Sequence, residues 1–204
     1  MPKVGMQPIR REQLIRATVA TIAEYGFADA TIARISRSAG LSGGIISHYF
    51  GGKNELLAAT MRWLLRELQT ETGRRLRRAN DPIERVEAIV GASFDTDQFT
   101  RGVSTAWLAF YGQIPHEPQL ARLHRVYMRR LRSNLRHAFR QLMAPQASSD
   151  AAEGMAAMID GIWVRMALVD QEPDIARARR LTGEYLDMLV SRNAAGEKAR
   201  SVAT

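Results

Sequence analysis

The chain contains no cysteine, which removes disulfides, thiolate metal sites and cysteine nucleophiles together and fits a reducing compartment. Long apolar runs are missing as well. Nothing approaches the ~20 residues a membrane-spanning helix needs, and the opening MPKVGMQPIRR has no apolar core of signal-peptide length. A cytoplasmic protein with no membrane partner is expected. The four histidines, His48, His116, His124 and His137, never fall in a His-Glu-x-x-His pattern, and His116-Glu117 runs straight into Pro118. The glycines before Lys53 make no phosphate loop, because Ser47 stands where its first glycine would be and Asn54 follows the lysine. Neither a serine elbow nor a dinucleotide fingerprint occurs. No catalytic residue, no metal site and no cofactor is expected, and an enzyme is the least favoured class.

What is present is the composition of a globular chain able to bury a core: 204 residues, 46% hydrophobic and 25% charged. The net charge of +8 favours a polyanionic partner. The arginine clusters at Arg74-Arg75, Arg77-Arg78, Arg129-Arg130 and Arg179-Arg180 read as solvated helix faces rather than further contacts.

The most informative stretch runs from Thr31 to Lys53. Thr31 is placed to cap a short helix whose Ile32, Ile35 and Ala39 share one apolar face. Gly40 stops that helix and supplies the permissive backbone of a tight turn. Ser42 is expected to cap a second helix, with Leu41, Ile46 and Phe50 inward and Gly43, Gly44, Ser47 and His48 on the opposite face. Two short helices joined through a glycine turn place the second in a DNA major groove. The spacing therefore predicts a helix-turn-helix over residues 31–50. Gly43, Gly44, Ile45, Ser47 and His48 should face the groove, with Ser47 and His48 hydrogen-bonding base edges or phosphates and Ile45 meeting a thymine methyl. Thr31, Tyr49 and Lys53 should hold phosphates.

The rest of the chain reads as helix, with no convincing period-two strand. A first helix starts near Pro8 and ends at Gly26, and Lys53 opens a long fourth helix with Leu57, Met61, Leu64, Leu65 and Leu68 on one face. Asp81-Pro82 is a cap followed by a first-turn proline and predicts a helix to about Phe94. Further helices are expected over 102–113, 119–142, 151–169 and 174–191, with 144–150 as a loop. The fold class is all-α. The domains expected are a DNA-binding domain over 1–52, a larger helical domain over 53–192 and a disordered tail over 193–204.

Leu41, the Tyr49-Phe50 helix end and Lys53 together resemble the TetR family of one-component transcriptional repressors. GIISHYF, KNELLAATMR, AWLAF, RRLRSNL and IDGIWVR, with the N-terminal opening, are similar to the choline-responsive branch that controls glycine betaine synthesis genes. At the two positions before Lys53 this chain has Gly51-Gly52 where that branch has charged or polar residues.

The resemblance implies a homodimer that binds double-stranded palindromic operator DNA and is released by a small-molecule effector, choline. Trp107, Phe110 and Tyr111 sit at i, i+3 and i+4, and Asp160 lies one turn before Trp163. Taken alone, the residues of an aromatic stripe of this kind are more often plain core than a cation site. With the resemblance they read as an aromatic cage and a compensating carboxylate for a quaternary ammonium. The apolar stripes of the last two helices, including Met158, Ile162, Leu181, Tyr185 and Leu189, are open between internal core and dimer contact, and the resemblance favours the latter. Two alternatives stand beside this reading: a repressor of the same family sensing a different molecule, and a helical ligand-binding protein without DNA function.

Overall fold

The computed structural model describes residues 6–95, 100–169 and 173–202, and beyond residue 195 the backbone alone. The opening residues 1–5 and the last two of the expected tail lie outside the described residues. All regular structure among the described residues is helical: α1 (Met6–Asp29), α2 (Ile32–Ser38), α3 (Gly44–Phe50), α4 (Lys53–Leu76), α5 (Pro82–Ser93), α6 (Arg101–Gln113), α7 (Pro118–Phe139), α8 (Pro145–Ala167) and α9 (Ile175–Val202).

The chain packs into two compact units. The first comprises Met1–Glu67 with Phe99–Arg125, and the second Leu68–Gln98 with Val126–Thr204. This division differs from the boundary expected between residues 52 and 53. Packing joins α6 to α1, and so to the unit that holds the expected helix-turn-helix: Gly102 lets the backbones approach, and a methyl built there would stand 3.6 Å from Ala23 Cβ.

In the first unit, α1 buries Leu14, Ile15, Thr18 and Ile22, and Gly26 breaks its helical geometry at φ 79° and ψ 171°. That break is where the sequence places the end of the first helix. The buried Thr18 and Thr21 hydroxyls donate to the carbonyls of Leu14 and Ala17, so no hydroxyl on that face is left bare. The first turns of α4 bury Leu56, Leu57, Met61, Leu64 and Leu65.

In the second unit, Asp81 caps α5 by accepting from the Glu84 amide at 2.9 Å, with Pro82 in the first turn. The Arg179 side chain of α9 donates to the Phe94 carbonyl at 2.9 Å, closing the end of α5. Near the end of α4, Glu71 accepts from Arg74 and Arg75. Those hydrogen bonds, Arg74 first, hold its carboxyl down at about 2 against the cost of its burial.

Two expectations are corrected. The segment expected as a loop at 144–150 is the first two turns of α8, with Pro145 in the first turn. The Ser148 and Ser149 hydroxyls donate back to the Pro145 carbonyl at 2.7 and 3.2 Å, so serines that look like loop residues are satisfied inside a helix. The tail expected to be disordered from Asn193 is helical to Val202. Asn193 Nδ2 donates to the Leu142 carbonyl at 3.1 Å, and the alanines and long charged residues that follow are good helix formers.

Candidate nucleic-acid interface and effector residues

The Thr31 hydroxyl accepts from the Arg34 amide at 3.3 Å and caps α2 as expected. The turn follows at Gly40, with φ 64°, where the Leu41 amide reaches back to the Ser36 carbonyl at 2.9 Å. The second expected cap is not made. Gly43 is the residue before α3, already in helical geometry at φ −58° and ψ −33°, with no side-chain cap. With the chain helical one residue early, the Ser42 carbonyl takes the Ile45 amide at 3.1 Å and the Ser42 side chain is left exposed.

Ile46 is fully buried beneath α3, whereas Gly43, Gly44, Ser47 and His48 are exposed. Ile45, Tyr49 and Phe50 are half-buried, so Ile45 lies at the margin of the outward face rather than at its centre. The His48 and Tyr49 rings meet edge to face with centroids 4.9 Å apart. Gly51 ends α3 in the left-handed region at φ 89°, its amide donating to the Ser47 carbonyl at 3.0 Å. Glycine is therefore demanded at that position, which accounts for one of the two glycines before Lys53.

What holds this pair of helices is α1, through two contacts that sequence reasoning missed. Gln13 Nε2 donates to the Ala39 carbonyl at 2.7 Å, at the end of α2. The Arg11 guanidinium donates to the Tyr49 carbonyl near the end of α3 and lies 4.2 Å from the Phe50 ring centroid. Both use carbonyls that a helix leaves unsatisfied at its C-terminus. Lys53 opens α4 with its Nζ 5.9 Å from the Phe27 ring centroid. Arg34 is engaged locally, with Asp29 at 3.3 Å and over the Tyr25 ring at 4.5 Å.

The residues expected at the effector site divide between the units. In the first, Trp107 and Tyr111 sit together on α6 with ring centroids 6.1 Å apart, and Tyr111 meets His124 edge to face at 5.6 Å. Phe110 points elsewhere: it is fully buried, edge to face with Phe27 at 6.1 Å, and so packs α6 to α1. At about 100° per residue, Tyr111 lies about 40° from Trp107 on one side and Phe110 about 60° from it on the other, so Phe110 turns towards α1 while the other two rings stay together. On α8, in the second unit, Asp160 and Trp163 are half-buried. Burial is the main cause raising the Asp160 carboxyl to about 6; the charge of Arg132 opposes the shift and that of Glu153 adds to it. The Arg132 guanidinium itself pairs with Glu153 at 2.8 Å.

The second unit also holds a cavity of about 350 Å³ that the sequence did not announce. Its lining includes Leu68, Thr72, Ile89, Ser93, Tyr127 and Arg130, the last donating to Gln69 at 2.7 Å. None of the residues expected at the effector site lines it.

The stripes of α8 and α9 are resolved into two kinds of position. Met155, Ile159, Ala178 and Leu186 are buried within the unit. Met158, Ile162, Leu181, Tyr185 and Leu189 are only half-buried, and Met188 is 54% exposed. At Gly154 the Tyr185 hydroxyl of α9 comes so close that a methyl built there would overlap it.

A family model described as bacterial regulatory proteins of the tetR family matches residues 14–60, and one described as the C-terminal region of BetI-type transcriptional repressors matches residues 82–191. The chain belongs to the TetR family. Within it, the chain is 49% identical over 194 residues to the HTH-type transcriptional regulator BetI 1 of Chromohalobacter salexigens, covering 95% of this chain and 96% of that one. It is 47% identical to BetI of Stenotrophomonas maltophilia, over 92% of this chain and 96% of the relative. Among solved structures, a TetR transcription regulator from Haloarcula marismortui has a TM-score of 0.79 at 23% identity, covering 89% of this chain and 98% of that one. A transcriptional regulator from Saccharomonospora viridis, solved in complex with choline, has a TM-score of 0.74 at 18% identity, covering 87% and 95%. This TetR-family chain is accordingly a transcriptional repressor and not an enzyme. No described helix is long and apolar enough to cross a membrane.

Proposed function

We propose that this repressor binds an inverted-repeat operator as a homodimer and that choline releases it. The DNA half of the reading is carried by the outer face of α3, where Gly43, Gly44, Ser47 and His48 are exposed while α1 grips the end of the helix from behind. Small residues let the helix approach base edges, and Ser47 and His48 supply hydrogen-bonding groups there. Thr31, Tyr49 and Lys53 flank that face and hold phosphates. With one recognition helix per subunit, half-sites fall about 34–36 Å apart, or a multiple of that.

Choline is supported by three observations: the resemblance of this sequence to the choline-responsive branch, the choline bound to the Saccharomonospora viridis regulator, and the side chains of this chain. In the first unit, Trp107 and Tyr111 offer aromatic rings of the kind that attract a quaternary ammonium, with Phe110 fixing the helix behind them. In the second, Asp160 offers a half-buried carboxylate one turn before Trp163 on α8. The half-buried residues of α8 and α9, Met158, Ile162, Leu181, Tyr185 and Leu189, form the contact with the second subunit.

The test is a choline titration of the operator complex followed by fluorescence anisotropy. Wild type should dissociate at millimolar choline, Trp107→Ala should bind operator normally yet need far more choline, and Lys53→Ala should weaken binding to every sequence. If millimolar choline leaves the wild-type complex intact, the effector is a different molecule.

A further inference from the structure

Most buried hydroxyls in these helices follow one rule. Thr18, Thr21, Thr60, Ser93 and Thr182 each donate to the carbonyl four residues back, at 2.7–3.0 Å. Ser104 does not. Its side chain is buried, the residue being 4% exposed, and its hydroxyl has no hydrogen-bonding partner among the described residues. The Thr100 carbonyl four residues back receives the Ser104 backbone amide at 2.9 Å and no side-chain bond from Ser104. The one comparable serine, Ser36, is on α2 in the small core of the DNA module.

A buried hydroxyl without a partner is costly, and in a native protein it marks a place where something else completes the bond. Its position on α6 indicates what. Ser104, Trp107 and Tyr111 stand at i, i+3 and i+7, on one side of the helix, whereas Gly102 and Phe110 face α1. Along the helix axis, three residues at a rise of about 1.5 Å each place Ser104 about 4.5 Å from Trp107, the nearer ring of the pair. That separation suits a two-carbon bridge between an ammonium and an alcohol.

We infer that Ser104 is the specificity-determining residue for the alcohol end of the effector, its hydroxyl exchanging a hydrogen bond with the ligand's while Trp107 and Tyr111 take the quaternary ammonium. The inference rests on the cation reading proposed above. It adds that the site selects an alkanolammonium over a quaternary ammonium of the same size without a hydroxyl. A serine hydroxyl both donates and accepts, so it serves a neutral alcohol without requiring a charge.

The experiment compares choline with n-propyltrimethylammonium, in which a methyl replaces the hydroxyl, by calorimetric titration of the full-length protein. Wild type should prefer choline by roughly tenfold or more, the effect of leaving one buried hydroxyl unpaired. Ser104→Ala should lose choline affinity by a similar factor, keep or improve its affinity for n-propyltrimethylammonium, and so lose the preference. A Ser104→Ala protein that retains the wild-type preference overturns the inference, and so does a wild type that binds both cations equally; the cation reading survives in both cases. A wild type that binds neither cation overturns the cation reading itself and the inference with it. Should Ser104→Ala fail to fold, Ser104→Cys, close in size with a weak donor, supports the inference by losing the preference and overturns it by retaining it.

Discussion

The Arg11 guanidinium donates to the Tyr49 main-chain carbonyl while its central carbon stands 4.2 Å from the Phe50 ring centroid. One side chain thus fixes the last turn of α3 by a charge-assisted bond and by a cation–π contact. Arg11→Ala is expected to lower operator affinity although it removes no group from the outer face of α3, and to cost about 1.5–3 kcal/mol of stability. Arg11→Lys should restore little, since an ammonium lacks the planar fork. Operator titration beside urea unfolding checks this; unchanged operator affinity in Arg11→Ala would show that α1 does not position α3.

Gly51 and Gly52 adjoin the same lysine yet should respond differently to alanine. At φ 89° a side chain is strained, so Gly51→Ala should cost roughly 1–2 kcal/mol and weaken operator binding. A methyl at Gly52 meets only Glu55 Oε2, at 3.0 Å, the far end of a flexible side chain, and Gly52→Ala should change stability by less than about 0.5 kcal/mol. Thermal melts of the two variants settle the contrast.

Asp160 gives the protein a pH signature. Its folded pKa of about 6 lies above the unfolded carboxyl, so the folded state holds the proton more tightly. That contribution is present at low pH and is lost as pH rises from about 4 to about 6. Asp160→Asn should therefore be more stable than wild type above about pH 6, with the advantage shrinking towards pH 4. Choline affinity should fall in wild type as pH drops through about 6 and stay flat in Asp160→Asn. Melts and calorimetry across that range read both; a wild-type choline affinity independent of pH removes Asp160 from cation binding.

The dimer reading separates exposed from packed positions. Met188→Arg, on an exposed site, should leave the monomer folded and weaken the dimer, and Leu181→Arg should do so more strongly. Gly154→Val should instead destabilise the subunit itself, because the added side chain collides with Tyr185. Sedimentation and circular dichroism distinguish the two outcomes. A wild-type dimer in both arginine variants would move the interface elsewhere.

Local signals made much of this legible. Thr31, Gly40 and Asp81-Pro82 announce caps and stops through their own chemistry, and the structure uses each where the sequence places it. The exposed face of α3 followed from spacing alone. Misreadings arose where local chemistry points two ways: Ser148 and Ser149 look like loop residues but bond back within α8, and the alanine-rich stretch after Asn193 looks like a tail but continues α9. The α1 contacts were invisible for a different reason. Gln13 reaches Ala39 and Arg11 reaches Tyr49 across 26 and 38 residues, and no periodicity encodes such a pairing. The Trp107, Phe110 and Tyr111 triplet was read as one wall because i, i+3 and i+4 are neighbours; only the packing of α6 on α1 shows which ring turns inward.

Because the grip on α2 and α3 comes from main-chain carbonyls at Ala39 and Tyr49, neither of these bonds from α1 uses an outward side chain of α3. Gly43, Gly44, Ser47 and His48 can be replaced without touching the bonds that seat the helix. On the proposed operator reading, the outer face of α3 can therefore drift, or be redesigned, while both α1 hydrogen bonds that seat the helix are kept. On that reading, a duplicated copy of this gene acquires a new set of target promoters through changes to α3 alone.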